Sequence, residues 1–381
     1  MRRRWAASVL AVLGIVAMGT PARSQGLNEV LSSILGEGCD GLSGSVSSGE
    51  LGQICSGGGA AASGGGTAAA ETRGTDLGQA YRRLRQRQSA ASADPDGARG
   101  FSLFVSTEYQ KFDRDTTRFE TGFDRDTVGA TVGGDYLFRS GLVLGAAVSY
   151  AHEFGAYDGG GGFDHDAYGI LAYGSVVPIP NMFVDVAGGY IRKAYSFDRR
   201  VDLAVNGGAF DGVASGDTDG NEFRIGVNAG YDFVFGRFTV GPRVGVSYRD
   251  ITIDDYRESG QTGLELAYDN QNIQSLTTSV GLFGSAALST GFGVIVPQAS
   301  AEYVHEFLDD QRSVGFRLVQ DPAASRFLYQ TDPPDRDYVN LGVGVSMVLA
   351  NGMQPFLNFR ELLGYRDRSS HTVTLGLRIP F

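Results

Sequence analysis

From Phe101 to Phe381 the chain is built of segments of ten or more residues in which every second side chain is apolar. The stretches joining them are alternately short and long. One segment shows the rule: Phe223, Ile225, Val227, Ala229, Tyr231, Phe233 and Phe235 alternate with Glu222, Arg224, Gly226, Asn228, Gly230 and Asp232. Successive side chains of a strand point to opposite faces, so a segment of this kind has one apolar and one polar face. Val128 to Phe138, Phe238 to Tyr248 and Val339 to Leu349 repeat the pattern. A soluble sandwich alternates in the same way, so the pattern within a strand does not choose between architectures.

The connections do choose. Strands are predicted at 101–111, 126–138, 141–155, 165–177, 181–197, 221–235, 237–253, 273–289, 291–307, 337–350, 353–364 and 371–381, twelve in all. Short turns (Arg139-Ser140, Pro178-Ile179-Pro180, Gly236, Thr290, Asn351-Gly352) alternate with long polar stretches near 112–125, 156–164, 198–220, 254–272, 308–336 and 365–370. An even strand number with one tight end and one elaborated end is the plan of bacterial outer-membrane barrels. The fold class expected is therefore all-β, a twelve-stranded antiparallel transmembrane β-barrel. In hydrocarbon an open sheet edge leaves backbone groups unsatisfied at several kcal/mol each, so closure is compulsory. Tyr136, Phe138, Tyr150, Phe154, Tyr190, Tyr195, Phe233 and Phe235 lie toward strand ends, where interfacial girdles belong. Gly133, Gly145, Gly226, Gly230, Gly245, Gly342 and Gly344 fall on the inner face, where they ease curvature and leave lumenal space.

Ahead of this region the first 24 residues read as a signal peptide. Arg2, Arg3 and Arg4 precede an apolar run from Trp5 to Met18, and Ala22-Arg23-Ser24 offers small residues for cleavage. The run is too short to span a membrane stably, and no other stretch reaches 18 consecutive apolar residues. The leader carries four arginines and no acid, so its removal moves the net charge from −11 to −15. An acidic chain is unsuited to nucleic acid.

Residues 25–70 read as a short exported segment and a linker. Leu27, Val30, Leu31, Ile34 and Leu35 have helical spacing; Cys39 and Cys55 follow, and an oxidising compartment would let them form a disulfide, the alternative being two unpaired thiols. Ser56 to Ala70 is almost entirely Gly, Ala and Ser, a flexible linker. From 71 to 97 comes a basic helix and turn: Leu77, Ala80, Tyr81 and Leu84 repeat at helical spacing beside Arg82, Arg83, Arg85 and Arg87, and Asp94-Pro95-Asp96-Gly97 ends it. The barrel domain is placed at 98–381.

The region 71–381 resembles the autotransporter β-domain of type V secretion. The resemblance rests on Val128 to Tyr136, Leu144 to Tyr150, Asp166 to Gly174, Tyr303 to Phe307 and Leu375 to Phe381, in that order and spacing. It implies that the helix before the first strand threads the lumen and that whatever precedes it is carried to the cell surface. Asp135, Glu222, Asp232 and Glu302 are expected to face inward as counter-charges for Arg82, Arg83, Arg85 and Arg87, with Arg243, Arg249 and Arg378 also inside. Val373, Leu375, Leu377, Ile379 and Phe381 put an apolar residue at every second position up to a terminal Phe, which resembles the signal read by the barrel assembly machinery. Expected partners are outer-membrane lipid, that machinery, the export translocase and signal peptidase, with the protein a monomer. Two features depart from the family: relatives often carry passengers of hundreds of residues, and some cut themselves at an Asn-Asn pair that this sequence lacks. The short segment is expected to stay attached.

No catalytic motif stands out. The chain has no Gly-x-Ser-x-Gly, no His-Glu-x-x-His, no phosphate loop and no Cys-x-x-Cys, and no cofactor or enzymatic activity is expected. His152 and His165, with Asp158, Asp164 and Asp166, read as an acidic external loop or, less simply, a cation site; Gly216 to Glu222 has calcium-loop composition without the spacing. Three function classes remain: display of the N-terminal segment, an adhesin or structural barrel acting through external loops, and a diffusion porin.

Overall fold

The computed structural model describes residues 100–205 and 208–381, with side chains described outside 203–210. The signal peptide, the Cys39 and Cys55 pairing, the linker and the 71–97 helix with Arg82, Arg83, Arg85 and Arg87 lie outside the described residues.

Twelve strands form the wall: β1 Gly100–Arg114, β2 Phe123–Leu137, β3 Val143–Tyr157, β4 Gly161–Val176, β5 Met182–Val205, β6 Gly208–Tyr231, β7 Phe238–Ile253, β8 Gln271–Ala286, β9 Gly293–Glu306, β10 Asp337–Leu349, β11 Gln354–Leu363 and β12 Arg368–Pro380. Each pairs antiparallel with its neighbours in chain order. The ring closes where β12 returns to β1, from Ser102 opposite Pro380 to Arg114 opposite Arg368. The expected twelve-stranded antiparallel barrel is present.

Exposure follows the two-residue period. On β6, Phe223, Ile225 and Val227 are 47%, 41% and 42% exposed, whereas Glu222 and Arg224 between them are 0% and 5% exposed. The greasy face is the outside of the cylinder, as a hydrocarbon solvent requires. Val132, Val148, Ile170, Val246, Leu282, Val343 and Leu375 continue the apolar belt around it. The expected girdle residues face outward except Tyr195, which is 1% exposed and points inside. Its odd spacing from Tyr190 puts it on the opposite face of β5.

The tight end is made by residues 138–142, 177–181, 236–237, 291–292 and 350–353, with the short strands Phe233–Phe235 and Leu288–Thr290 extending the wall beside two of these turns. Gly141, Gly236 and Gly352 supply the positive φ such turns need, at 80°, 61° and 81°. The other end is more ordered than its composition suggests. Instead of a long loop at 198–220, β5 and β6 run on as a paired hairpin from Asp198 opposite Ser215 to Val205 opposite Gly208. Above the membrane the outer face needs no apolar residues, so cross-strand polar pairs take over: Arg192 with Asp219 at 2.9 Å, Ser196 with Asp217 at 2.7 Å and Arg200 with Asp211 at 2.7 Å. Likewise 156–164 narrows to a three-residue turn at 158–160, and 365–370 to the four residues 364–367. Gly216 to Glu222 lies in β6 as ordinary strand, not as a loop.

Candidate functional site: the lumen and its outer mouth

Inside the wall the charged side chains are largely matched by one another. Asp135 is 2% exposed and accepts from the Arg378 guanidinium at 2.6 Å across the β12–β1–β2 seam. Glu222 is 0% exposed, 2.7 Å from the Lys193 ammonium and 2.5 Å from Arg224. Arg125 and Glu153, both fully buried, lie 3.6 Å apart, and Asp232 pairs with Arg243. Three of the four expected counter-charges are thus engaged by the barrel's own cations. Glu302 faces the lumen and has no ion pair among the described residues. Whether the helix arginines meet any of these carboxylates concerns residues outside the described set.

The lumen is divided rather than uniformly wet. A cavity of about 290 Å³ lies against β6 to β12, lined by Asn228, Arg249, Gln298, Glu302, Asn340 and Arg360 among others. Against β1 to β5 the interior is filled by Phe104, Val143, Leu171, Tyr173 and Ala187. Two of the inward glycines on this side serve the filling. A Cβ on Gly133 would sit 2.5 Å from the Phe104 ring, and one on Gly145 2.4 Å from that of Tyr173. At Gly133, Gly145 and Gly230 the space is taken by neighbouring rings, whereas Gly245 and Gly342 line the cavity and leave lumenal space there.

The outer mouth holds an apolar core. The connections 254–270 and 307–336 fold into a second sheet of four short strands, Tyr256–Arg257, Leu266–Tyr268, Ser313–Leu318 and Phe327–Gln330. Their Tyr256, Leu266, Tyr268, Val314, Phe316, Leu318 and Phe327 pack on the inward faces of Phe112, Phe123, Phe163, Tyr195, Phe197 and Ile251. Rings follow one another across the mouth: Phe123 to Phe163 at 5.6 Å, Phe163 to His165 at 4.8 Å, His165 to Phe197 at 5.3 Å, Phe197 to Tyr256 at 5.5 Å, Tyr256 to Tyr268 at 4.7 Å. Composition hid this core, because these apolar residues are spread thinly through long polar stretches. The only sequence signal is short apolar pairs such as Leu264 with Leu266 and Phe316 with Leu318.

Ionic latches tie the core to the rim. Arg199 on β5 donates twice to Glu258, at 2.9 and 2.6 Å, and to the Leu264 carbonyl at 2.7 Å. Arg114 donates to Asp332 at 2.7 Å and also pairs with Glu120, while Asp335 takes the Arg366 guanidinium at 2.6 Å. Burial opposes ionisation of Glu120, but the adjoining Arg114 charge and hydrogen bond, the Asp332 N–H and the field of Arg368 outweigh it and hold the carboxyl down at about 2. Asp332 goes the other way, raised by burial and by the nearby Glu120 carboxylate. The Glu120 latch is therefore a charged one throughout the neutral range.

His152 and His165 are not brought together. His165 is buried among rings inside the mouth, while His152 lies on the outer face, 3.1 Å from Asp166 and 3.4 Å from Asp164. Among the described residues no group of three or more His, Cys, Asp or Glu is arranged to hold a metal. On β12, Val373 and Leu375 are exposed on the lipid face, and Leu377 and Ile379 continue that face half-buried. The Phe381 N–H donates to the Phe101 carbonyl at 2.9 Å, which places the last residue at the seam.

Comparisons with known proteins agree with this architecture. The family model described as autotransporter beta-domain matches residues 103–360. Among curated proteins the chain is 27% identical over 292 residues to Esterase EstA of Pseudomonas aeruginosa, covering 73% of this chain and 42% of that protein. It is 22% identical over 299 residues to Outer membrane protein B of Rickettsia prowazekii, covering 77% of this chain and 18% of that protein. The chain thus spans less than half the length of these relatives. Among solved structures, the translocator domain of the autotransporter NalP from Neisseria meningitidis superposes with a TM-score of 0.59 at 15% identity, covering 80% of this chain and 96% of that one. The beta domain of the Bordetella autotransporter BrkA gives a TM-score of 0.55 at 16% identity, covering 74% and 100%.

Proposed function

Because the chain belongs to the autotransporter β-domain family, matched over residues 103–360, we propose that this outer-membrane barrel is a translocator that exports and displays its own residues 25–70. The observation that carries the reading is the closed ring with its apolar face outward and its charges inward. A cylinder of that kind is stable in lipid and encloses charged and polar groups along its interior. Insertion is assigned to the barrel assembly machinery acting on Val373, Leu375, Leu377, Ile379 and Phe381, after delivery by the export translocase and removal of residues 1–24 by signal peptidase. Asp135, Glu222, Asp232 and Glu302 are proposed to set the lumenal field felt by Arg82, Arg83, Arg85 and Arg87. The esterase name belongs to the Pseudomonas relative, and no activity is proposed for this barrel.

Surface proteolysis of intact cells with an epitope near Gly44 tests display. The expected result is loss of the epitope to protease added outside, with the barrel band retained. Protection of the epitope, with cleavage confined to 307–336, would instead assign function to the external loops.

A further inference from the structure

We propose that the connections 254–270 and 307–336 form a built-in gate, a cap that seals the outer mouth by itself, independently of the residues before Gly100. The proposal rests on the outer-membrane barrel reading and adds to it a closing device made by the loops.

Three observations carry it. First, the cap is dry. Leu266, Tyr268, Phe316 and Leu318 are between 1% and 4% exposed, though they come from stretches at the most water-accessible end of the molecule. Apolar side chains buried this way across a pore mouth exclude a water column along that path. Second, the cap spans the opening. It is held to β5 through Arg199 and Glu258, to β1 through Arg114 and Asp332, and to the β11–β12 turn through Arg366 and Asp335. Those anchor points belong to opposite parts of the ring order. Third, the cap is a unit apart from the wall. Its four strands have their own ladder, and the backbone links from the cap connections to the wall lie at their margins: the bridge of Ser215 with Ser259, Asp254 N–H to the Asp219 carbonyl and Phe307 N–H to the Leu276 carbonyl. A cap held by side-chain latches, apolar packing and a few marginal backbone bonds swings clear without unzipping a wall strand, whereas a wall hairpin cannot.

Arg199 is the latch to cut. The pair is buried, with side chains 9% and 2% exposed, and Glu258 has its charge matched there by the Arg199 guanidinium. Removing one partner of a buried pair leaves an uncompensated charge, which disfavours the closed state.

The test is single-channel conductance in planar bilayers for four proteins: the full chain, the chain lacking 71–93, the full chain with Arg199→Ala, and the two changes combined. Gel mobility before and after heating reports separately whether each is a folded barrel, which tests the outer-membrane reading itself. The expected result is a low conductance for the 71–93 deletion alone and an open fraction raised by about 100-fold or more in the combined protein. Phe316→Ser in the deletion background, which loosens the ring stack at its Tyr268 and Phe327 contacts, is expected to raise it in the same direction. A wide, continuous channel from the deletion alone overturns the proposal. So does a closed pore in both loosened variants.

Discussion

Glu222→Leu is expected to destabilise the folded barrel by roughly 3–5 kcal/mol, the usual cost of breaking a buried charge network. The carboxylate is completely buried on the lumenal face of β6, with the Lys193 ammonium at 2.7 Å and the Arg224 guanidinium at 2.5 Å. Leucine keeps the bulk but leaves two cations facing each other in a medium of low polarity, where their repulsion is strong. Lys193→Met alone should cost less, since Glu222 keeps Arg224. The double variant should recover part of the loss, and that recovery measures the coupling. Urea titration in lipid vesicles, followed by the fraction of protein migrating as the compact unheated band, reads the effect. Tryptophan emission does not report it, because the single tryptophan, Trp5, falls within residues 1–24, which are proposed to be removed by signal peptidase. A change below about 1 kcal/mol for Glu222→Leu would mean that water reaches the triad and screens it.

Ile170→Arg is the second large effect. Ile170 is 63% exposed on the lipid face of β4, flanked along that face by Tyr168 and Ala172. Arginine at mid-depth on a barrel exterior costs about 2–4 kcal/mol, and the cost falls to about 0–1 near the interface. Ile179, 54% exposed in the turn 177–181, supplies the contrast. Ile179→Arg is expected to be nearly neutral in the same titration. Equal costs at the two positions would show that depth in a bilayer is not what distinguishes them.

Much of this architecture was legible in the sequence, and the boundary of legibility has a physical meaning. Where a strand borders hydrocarbon on one side, every second residue must be apolar, so strands such as 126–138 and 337–350 announce themselves. Where a strand leaves the membrane, that demand lapses, so the sequence of the upper β5–β6 hairpin reads as a loop. Its stability comes from Arg200 with Asp211 and Ser196 with Asp217, pairs that become neighbours only when register is known. The mouth core was unreadable for a related reason. Tyr256, Tyr268, Phe316 and Phe327 are far apart in the chain, and only the four-stranded sheet gathers them. Parity explains the remaining differences. Tyr195 has a girdle position near a strand end, although its place in the alternation sends it inward. Asp135 and Glu222 lie on the buried face, but their partners Arg378 and Lys193 sit on other strands, so sequence spacing does not reveal the pairs.

The most direct test of the account is site-directed spin labelling along Phe223 to Tyr231, one residue at a time in lipid vesicles, with Cys39 and Cys55 replaced by serine. Collision rates with dissolved oxygen, which concentrates in hydrocarbon, and with a water-soluble nickel chelate are measured at each site. Oxygen accessibility should peak at 223, 225, 227, 229 and 231 and drop at every position between. Low oxygen accessibility at both sets of positions would place the apolar flank against another sheet instead of lipid, and the barrel description would be wrong.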